Sequence, residues 1–137
     1  MYDRILVGTD GSDGANRAVT YAIDLAEAND ATLHVLTAID PRSAPKSFGV
    51  ETVAAIDRAA EELIDAISSR AEGSTIDIVG DVHRGEPATI LLSYAEEKNV
   101  DLIVTGQRGH SGLTERILGS TPDRIARKTE RPFLIIP

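Results

Sequence analysis

Five short, largely apolar runs alternate with four helix-like stretches along this chain, and that alternation excludes most folds before any single residue is weighed. The runs are Arg4–Gly8, Thr32–Ala38, Ile76–Val79, Asp101–Thr105 and Pro132–Ile136. After the first run, Ala18, Val19, Ala22, Leu25 and Ala26 fall on one helical stripe. Ile56, Ala59, Ala60, Leu63, Ile64 and Ile67 do the same in a longer helix spanning about Glu51 to Arg70. Ala88, Leu91, Leu92 and Ala95 predict a third helix ending near Asn99, opened by the turn Gly85-Glu86-Pro87. A short fourth helix is expected from Pro122 to Lys128. Ser12 is the expected cap of the first helix, with Asp13 in its first turn. The second run is apolar on both faces, as a parallel strand covered by helices must be. The order βαβαβαβαβ therefore predicts an α/β fold: a three-layer, doubly wound, five-stranded parallel sheet with four main helices, in a single domain over residues 1–137.

In such sheets ligands sit beyond the carboxyl ends of the strands, where the strand order reverses. Asp10, Ala38 and Gly106 each follow or end a run, so they are candidates for one crevice. The fourth run leads into Gly106-Gln107-Arg108-Gly109, then nine residues from His110 to Leu118, then Gly119-Ser120-Thr121. Strand, glycine loop and helix start together offer backbone N–H groups to a phosphate. Gly106 is expected to turn the backbone off the strand, and Gly109 to supply a positive φ or a close approach. Leu113, Ile117 and Leu118 are candidates to anchor the excursion between them, and Arg108 and His110 to add charge or donors. Glycines also end strands and cap helices with no ligand present, so this pattern leaves the alternative of a purely structural loop.

Charge narrows the partners. The net charge is −8, with a pI near 4.8, which argues against a nucleic-acid-binding face. Within Asp101–Arg131, however, six bases (Arg108, Arg116, Arg124, Arg127, Lys128 and Arg131) face four acids, a basic island at the glycine loop. Arg127 and Lys128 have a second reading, as complements to a helix dipole. The chain has no cysteine. No apolar run approaches the length of a membrane span, and the opening Met-Tyr-Asp-Arg does not resemble a signal peptide, so a cytoplasmic protein is expected. His34, His83 and His110 share no metal-ligand spacing. His34 reads as a satisfied structural histidine and His83 as a surface or turn residue.

Gly-x-x-Gly, nine residues and Gly-Ser after a fourth strand resembles the ATP-binding signature of the universal stress protein family, in its single-domain branch. The likeness extends to Arg4–Ser12, to Gly85-Glu86-Pro87 and to Arg131–Ile136. It implies an adenine nucleotide α-hydrolase-like fold. Gly8, Thr9 and Asp10 would belong to the nucleotide site, Asp10 meeting the adenosine part at the ribose, and the backbone of Ala38 would meet the adenine edge. Gly106, Arg108, Gly109 and His110 would wrap the phosphates, and Gly119, Ser120 and Thr121 would complete the cradle. The implied ligand is ATP, or AMP or ADP, with Mg²⁺ held mainly by phosphates and water. The family also implies a homodimer paired through strand 132–136, with protein partners unspecified. Two features depart from the pattern or bear on it. Pro122 stands where many members carry Ser or Thr, removing a hydroxyl and an N–H, for which Thr121 is a candidate substitute as ligand or N-cap. Gly8 and Ala38 are small, which leaves adenine selectivity to backbone contacts and pocket shape.

Other readings remain at this stage. Asp10 has a structural role available in a turn or at the first helix's start, Ser12 as a cap, and His110 as a solvated residue. An enzyme splitting ATP at its α-phosphate would carry Ser-Gly-Gly-x-Asp-Ser after the first strand, which Thr9–Gly14 echoes only in part. A receiver domain would need an acidic pair there and an acceptor Asp after the third strand. No Walker loop or GxGxxG fingerprint is present. A nucleotide-free dimeric scaffold of the same fold is the rival from another class. No general base stands out beyond His110, so at most slow ATP hydrolysis is expected. The Pro41–Gly49 loop is a candidate to close over the ligand.

Overall fold

The structure, a computed structural model, describes residues 1–41, 50–107 and 119–137, without the side chains of residues 50–52. Its elements follow the expected order: β1 (Arg4–Gly8), α1 (Asp13–Asn29), β2 (Thr32–Ile39), α2 (Val50–Arg70), β3 (Ile78–Arg84), α3 (Pro87–Glu97), β4 (Leu102–Gly106), α4 (Ser120–Lys128) and β5 (Phe133–Ile136). The strands form one parallel sheet in the order β3-β2-β1-β4-β5. The order reverses between β1 and β4. That places the carboxyl ends of these two strands, at Gly8 and Gly106, on either side of the switch point.

Side-chain alternation divides the core into two layers. Ile5, Val7, Leu33, Val35, Leu102 and Val104 pack with Ala18, Val19 and Ala22 of α1 and with Ile64 and Ile67 of α2. Leu6, Leu36 and Ile103, pointing the other way, pack with Leu91, Tyr94 and Ala95 of α3 and Ile125 of α4. Helices thus cover both faces. The N-cap of α1 is Ser12, whose Oγ accepts from Ala15 N at 3.3 Å. Asp30 closes that helix in the left-handed region at φ 52°, its N–H donating back to the last turn. His34 is satisfied in the core, its Nδ1 2.8 Å from the Tyr94 hydroxyl.

Three boundaries differ from the sequence reading. β3 starts at Ile78 rather than Ile76 and continues to Arg84. It is an edge strand with much of its length exposed, so side-chain hydrophobicity marks it poorly. Backbone pairing from Leu33↔Ile78 to Ile39↔Arg84 defines it instead. His83 therefore sits at the surface as one of its two readings had it, but in a strand and not a turn, 3.0 Å from Asp81. β4 includes Gly106, which pairs with Ile136. α4 begins at Ser120, two residues before the proline expected to open it. A proline is tolerated there because the first helical turn needs no intrahelical N–H bonds.

Candidate functional site

At the switch point lies a crevice with about 630 Å³ of empty space, counting its open mouth. Gly8, Thr9 and Asp10 reach it from β1, Ala38 from β2, Gly106 from β4, and Gly119, Ser120 and Thr121 from the start of α4. Eight of the residues singled out in the sequence therefore meet in one place. Arg108, Gly109 and His110 lie outside the described residues, as do Leu113, Ile117, Leu118 and the loop 42–49.

The first turn after β1 is held by its own side chains. Gly11 N donates to Thr9 Oγ1 at 3.2 Å, and Ser12 N donates to Asp10 Oδ1 at 2.9 Å. Asp10 thus has the turn-stabilising role and also lines the crevice. Thr9 N reaches across to Leu36 O at 3.0 Å, tying this turn to β2.

The opposite rim is the start of α4. Gly119 is its N-cap, with no side-chain cap bond, so Thr121 is a first-turn residue and not the cap. Gly119 N donates to Gln107 O at 2.8 Å, so the chain leaves and re-enters the site at adjacent points. Asp123 N donates to Gly119 O, and Pro122 has no N–H. No described residue accepts from the N–H groups of Ser120 and Thr121. Two donors at a helix's positive end thus lack a described acceptor, and both their residues line the crevice. Pro122 removes what would have been a third, and its own ring is buried in the wall.

Gly106 is glycine for a reason other than the expected turn. A Cβ there would lie 2.9 Å from the Gly14 carbonyl carbon, 3.0 Å from its oxygen and 3.2 Å from Ala15 N. The backbone of α1 packs directly on the end of β4. At Gly8 a Cβ would strike Leu91 of α3 at 2.8 Å, and Leu91 itself lines the crevice.

Pattern reading did not single out Ala15, Leu36, Pro87, Leu91 and Thr105 as crevice residues; all line it, as does Pro122. Thr105, directly before Gly106 at a strand end, carried a usable signal. Leu91 carried none, since a helical stripe does not reveal what its leucines face.

Of the basic island, Arg108 and Arg116 lie outside the described residues, and the four described bases do not line the crevice. Arg124 pairs with Glu86 at 3.2 Å, Arg127 with Asp123 at 3.1 Å, and Arg131 Nε donates to Val100 O. Arg127 and Lys128 occupy the last turn of α4, as the dipole reading held. Asp10 is the one charged side chain among the described residues lining the crevice. Beside the mouth, Glu86 caps α3, accepting from Ala88 N at 3.1 Å and Thr89 N at 2.9 Å. Burial pushes the Glu86 carboxyl up, but the hydrogen bonds from Thr89 and Ala88, with Arg124 nearby, outweigh it and hold it below its ordinary value. No group of three His, Cys, Asp or Glu among the described residues is arranged to hold a metal ion. No helix among them is long and apolar enough to cross a membrane.

Comparison with known proteins gives one answer. The chain matches the universal stress protein family over residues 1–137. The universal stress protein YxiE of Bacillus subtilis is 31% identical, with 99% of each chain covered. Universal stress protein MJ0531 of Methanocaldococcus jannaschii is 29% identical, covering 99% of this chain and 82% of that protein. Among solved structures, hypothetical protein MJ0577 superposes with a TM-score of 0.87 at 25% identity, over 99% of this chain and 96% of that one. A universal stress protein solved in complex with cAMP superposes with a TM-score of 0.74 at 31% identity, over 99% and 97%.

Proposed function

Because the chain belongs to the universal stress protein family, we propose that it binds an adenine nucleotide in the switch-point crevice and acts as a nucleotide-dependent stress-response or signalling module. One observation carries this reading: residues 8–10, 38, 106 and 119–121, far apart in sequence, line a single crevice beside two helix N–H donors without described partners. A relative of the same fold was solved with cAMP, itself an adenine nucleotide, which supports the class of ligand.

The division of labour follows from the lining. Leu36, Ala38, Pro87 and Leu91 offer an apolar wall to a flat base, with the Ala38 backbone at its edge. The Asp10 carboxylate accepts from ribose hydroxyls. The N–H groups of Ser120 and Thr121, with their hydroxyls, take the phosphates. Arg108, Gly109 and His110 complete the cradle. The lining fits a nucleotide better than a bare divalent ion, so Mg²⁺ arriving with ATP is held by phosphates and water. The ion's contribution is to neutralise phosphate charge. The Asp10 carboxylate also accepts from Ser12 N–H. The nucleotide acts as a binding switch with at most slow hydrolysis.

The test is the nucleotide itself. Extraction of purified protein followed by chromatography should yield ATP, ADP or AMP, and MgATP should raise the melting temperature of stripped protein, since a ligand binding only the folded state stabilises it. Neither nucleotide nor shift would leave the nucleotide-free scaffold standing. β5 lies at the sheet edge, with no strand on its outer side among the described residues. Pairing of β5 with a second copy's β5 is part of the proposal, and a monomer by light scattering at micromolar concentration would remove it.

A further inference from the structure

Among the described residues, two buried side-chain hydroxyls have no hydrogen-bond partner: Thr37 Oγ1 and Thr105 Oγ1. Their residues are 6% and 5% exposed. Such groups are uncommon in folded proteins, and each carries a desolvation penalty that a partner would relieve. Their surroundings differ. Thr37 shares a face of β2 with Val35, toward α1 and α2, and does not line the crevice. Thr105 shares a face of β4 with Ile103, toward α3 and α4, and does line it.

The register places Thr105 within the site. Gly8 pairs with Leu36, and Val7 pairs with Val104, so Leu36, Gly8 and Thr105 form one row across the floor. Leu36 lies at the apolar end of that row. Thr105 lies at the other end and leads into Gly106, whose strand end meets the re-entry of the chain at Gly119. A ligand reaching from Leu36 to the re-entry of the chain at Gly119 therefore passes over the threonine.

We propose that the Thr105 hydroxyl is a specificity-determining group that reads the nucleoside part of the ligand. It is held without a partner until a ribose oxygen or the sugar-side edge of the base supplies one. This rests on the nucleotide-binding reading above. A 120° turn about χ1 carries the hydroxyl to the methyl's position and the methyl to that of the β-hydrogen, so the unpartnered group can change direction without moving the strand. A ligand with a polar atom there relieves the orphaned hydroxyl. A ligand lacking one leaves it unpaired, which is how sites built around a polar group reject apolar analogues.

The experiment compares nucleotide-stripped wild type, Thr105→Val, Thr105→Ser and Thr37→Val by calorimetric titration with ATP, adenosine and inorganic triphosphate, alongside melting of each apo protein. Thr105→Val should weaken ATP roughly five- to tenfold, as loss of one hydrogen bond does. It should weaken adenosine by the same factor and leave triphosphate unchanged. Thr105→Ser should retain wild-type affinity. Apo Thr105→Val should melt no lower than wild type, because valine removes an unsatisfied hydroxyl at constant shape. Thr37→Val, with the same chemistry outside the crevice, should bind as wild type does. Wild-type affinity in Thr105→Val, or a loss confined to ATP, would overturn this inference alone. Absence of nucleotide binding by the wild type would overturn it together with the reading on which it rests.

Discussion

Gly106 shows how a single position can be constrained by what touches it and not by its own backbone angles. The atoms a Cβ would meet belong to the backbone of α1, at 2.9–3.2 Å, and backbone cannot rotate away. Gly106→Ala is expected to destabilise the fold by about 1–3 kcal/mol, the usual cost of overpacking, read as a lower urea midpoint at unchanged m-value. At Gly8 the obstacle is the flexible end of Leu91, so Gly8→Ala should cost less. His34 makes a second prediction at this scale. Burial first, then the charges of Lys98 and Arg4, lower its pKa from 6.5. The unfolded chain therefore binds a proton that the folded chain refuses. This group's contribution to stability is complete above pH 6.5 and is lost as pH falls from 6.5 toward the lowered folded value. Urea midpoints at pH 7.5 and 5.5 should show a smaller acid loss in His34→Gln than in the wild type, even if the variant is less stable at both.

At the scale of elements, α3 shows capping built from a carboxylate and a proline. Pro87 disfavours the helical region for the residue before it, and Glu86 accordingly lies at φ −70°, ψ 125°. That extended geometry lets its carboxylate accept from Ala88 N and Thr89 N. Glu86→Ala should cost about 0.5–2 kcal/mol by loss of the cap. Arg124→Ala, which removes only a half-exposed ion pair, should cost under about 1 kcal/mol. Because the Glu86 pKa is depressed from 4.5, the cap's stabilisation is present above that pH and disappears as pH falls below it through the folded value. The difference between wild type and Glu86→Ala should therefore shrink below pH 4.5. The start of α4 is the complementary case. Its cap, Gly119, has no side chain to turn inward, which leaves the N–H groups of Ser120 and Thr121 for a ligand.

At the scale of the whole molecule, a sheet that reverses its order between β1 and β4 brings the two halves of the chain to one crevice. Gly109→Val with Gly119→Val should abolish ATP binding while leaving the circular dichroism spectrum intact, since Gly119 has φ −61° and any residue can adopt that angle. Normal ATP affinity in the double variant would break the assignment of the loop. The element order, the parallel sheet, the Ser12 cap, the proline opening α3 and the crevice residues of β1, β2, β4 and α4 were legible in the sequence. Local rules govern each of these: helical and strand periodicities, capping chemistry, and the rule that ligands gather at strand carboxyl ends. The edge position of β3, the contact of Gly106 with α1, Leu91 over Gly8, the diversion of Arg124 to Glu86 and the orphaned hydroxyl of Thr105 were not legible. Each depends on which distant residues meet, and only the packing of helices onto the sheet decides that.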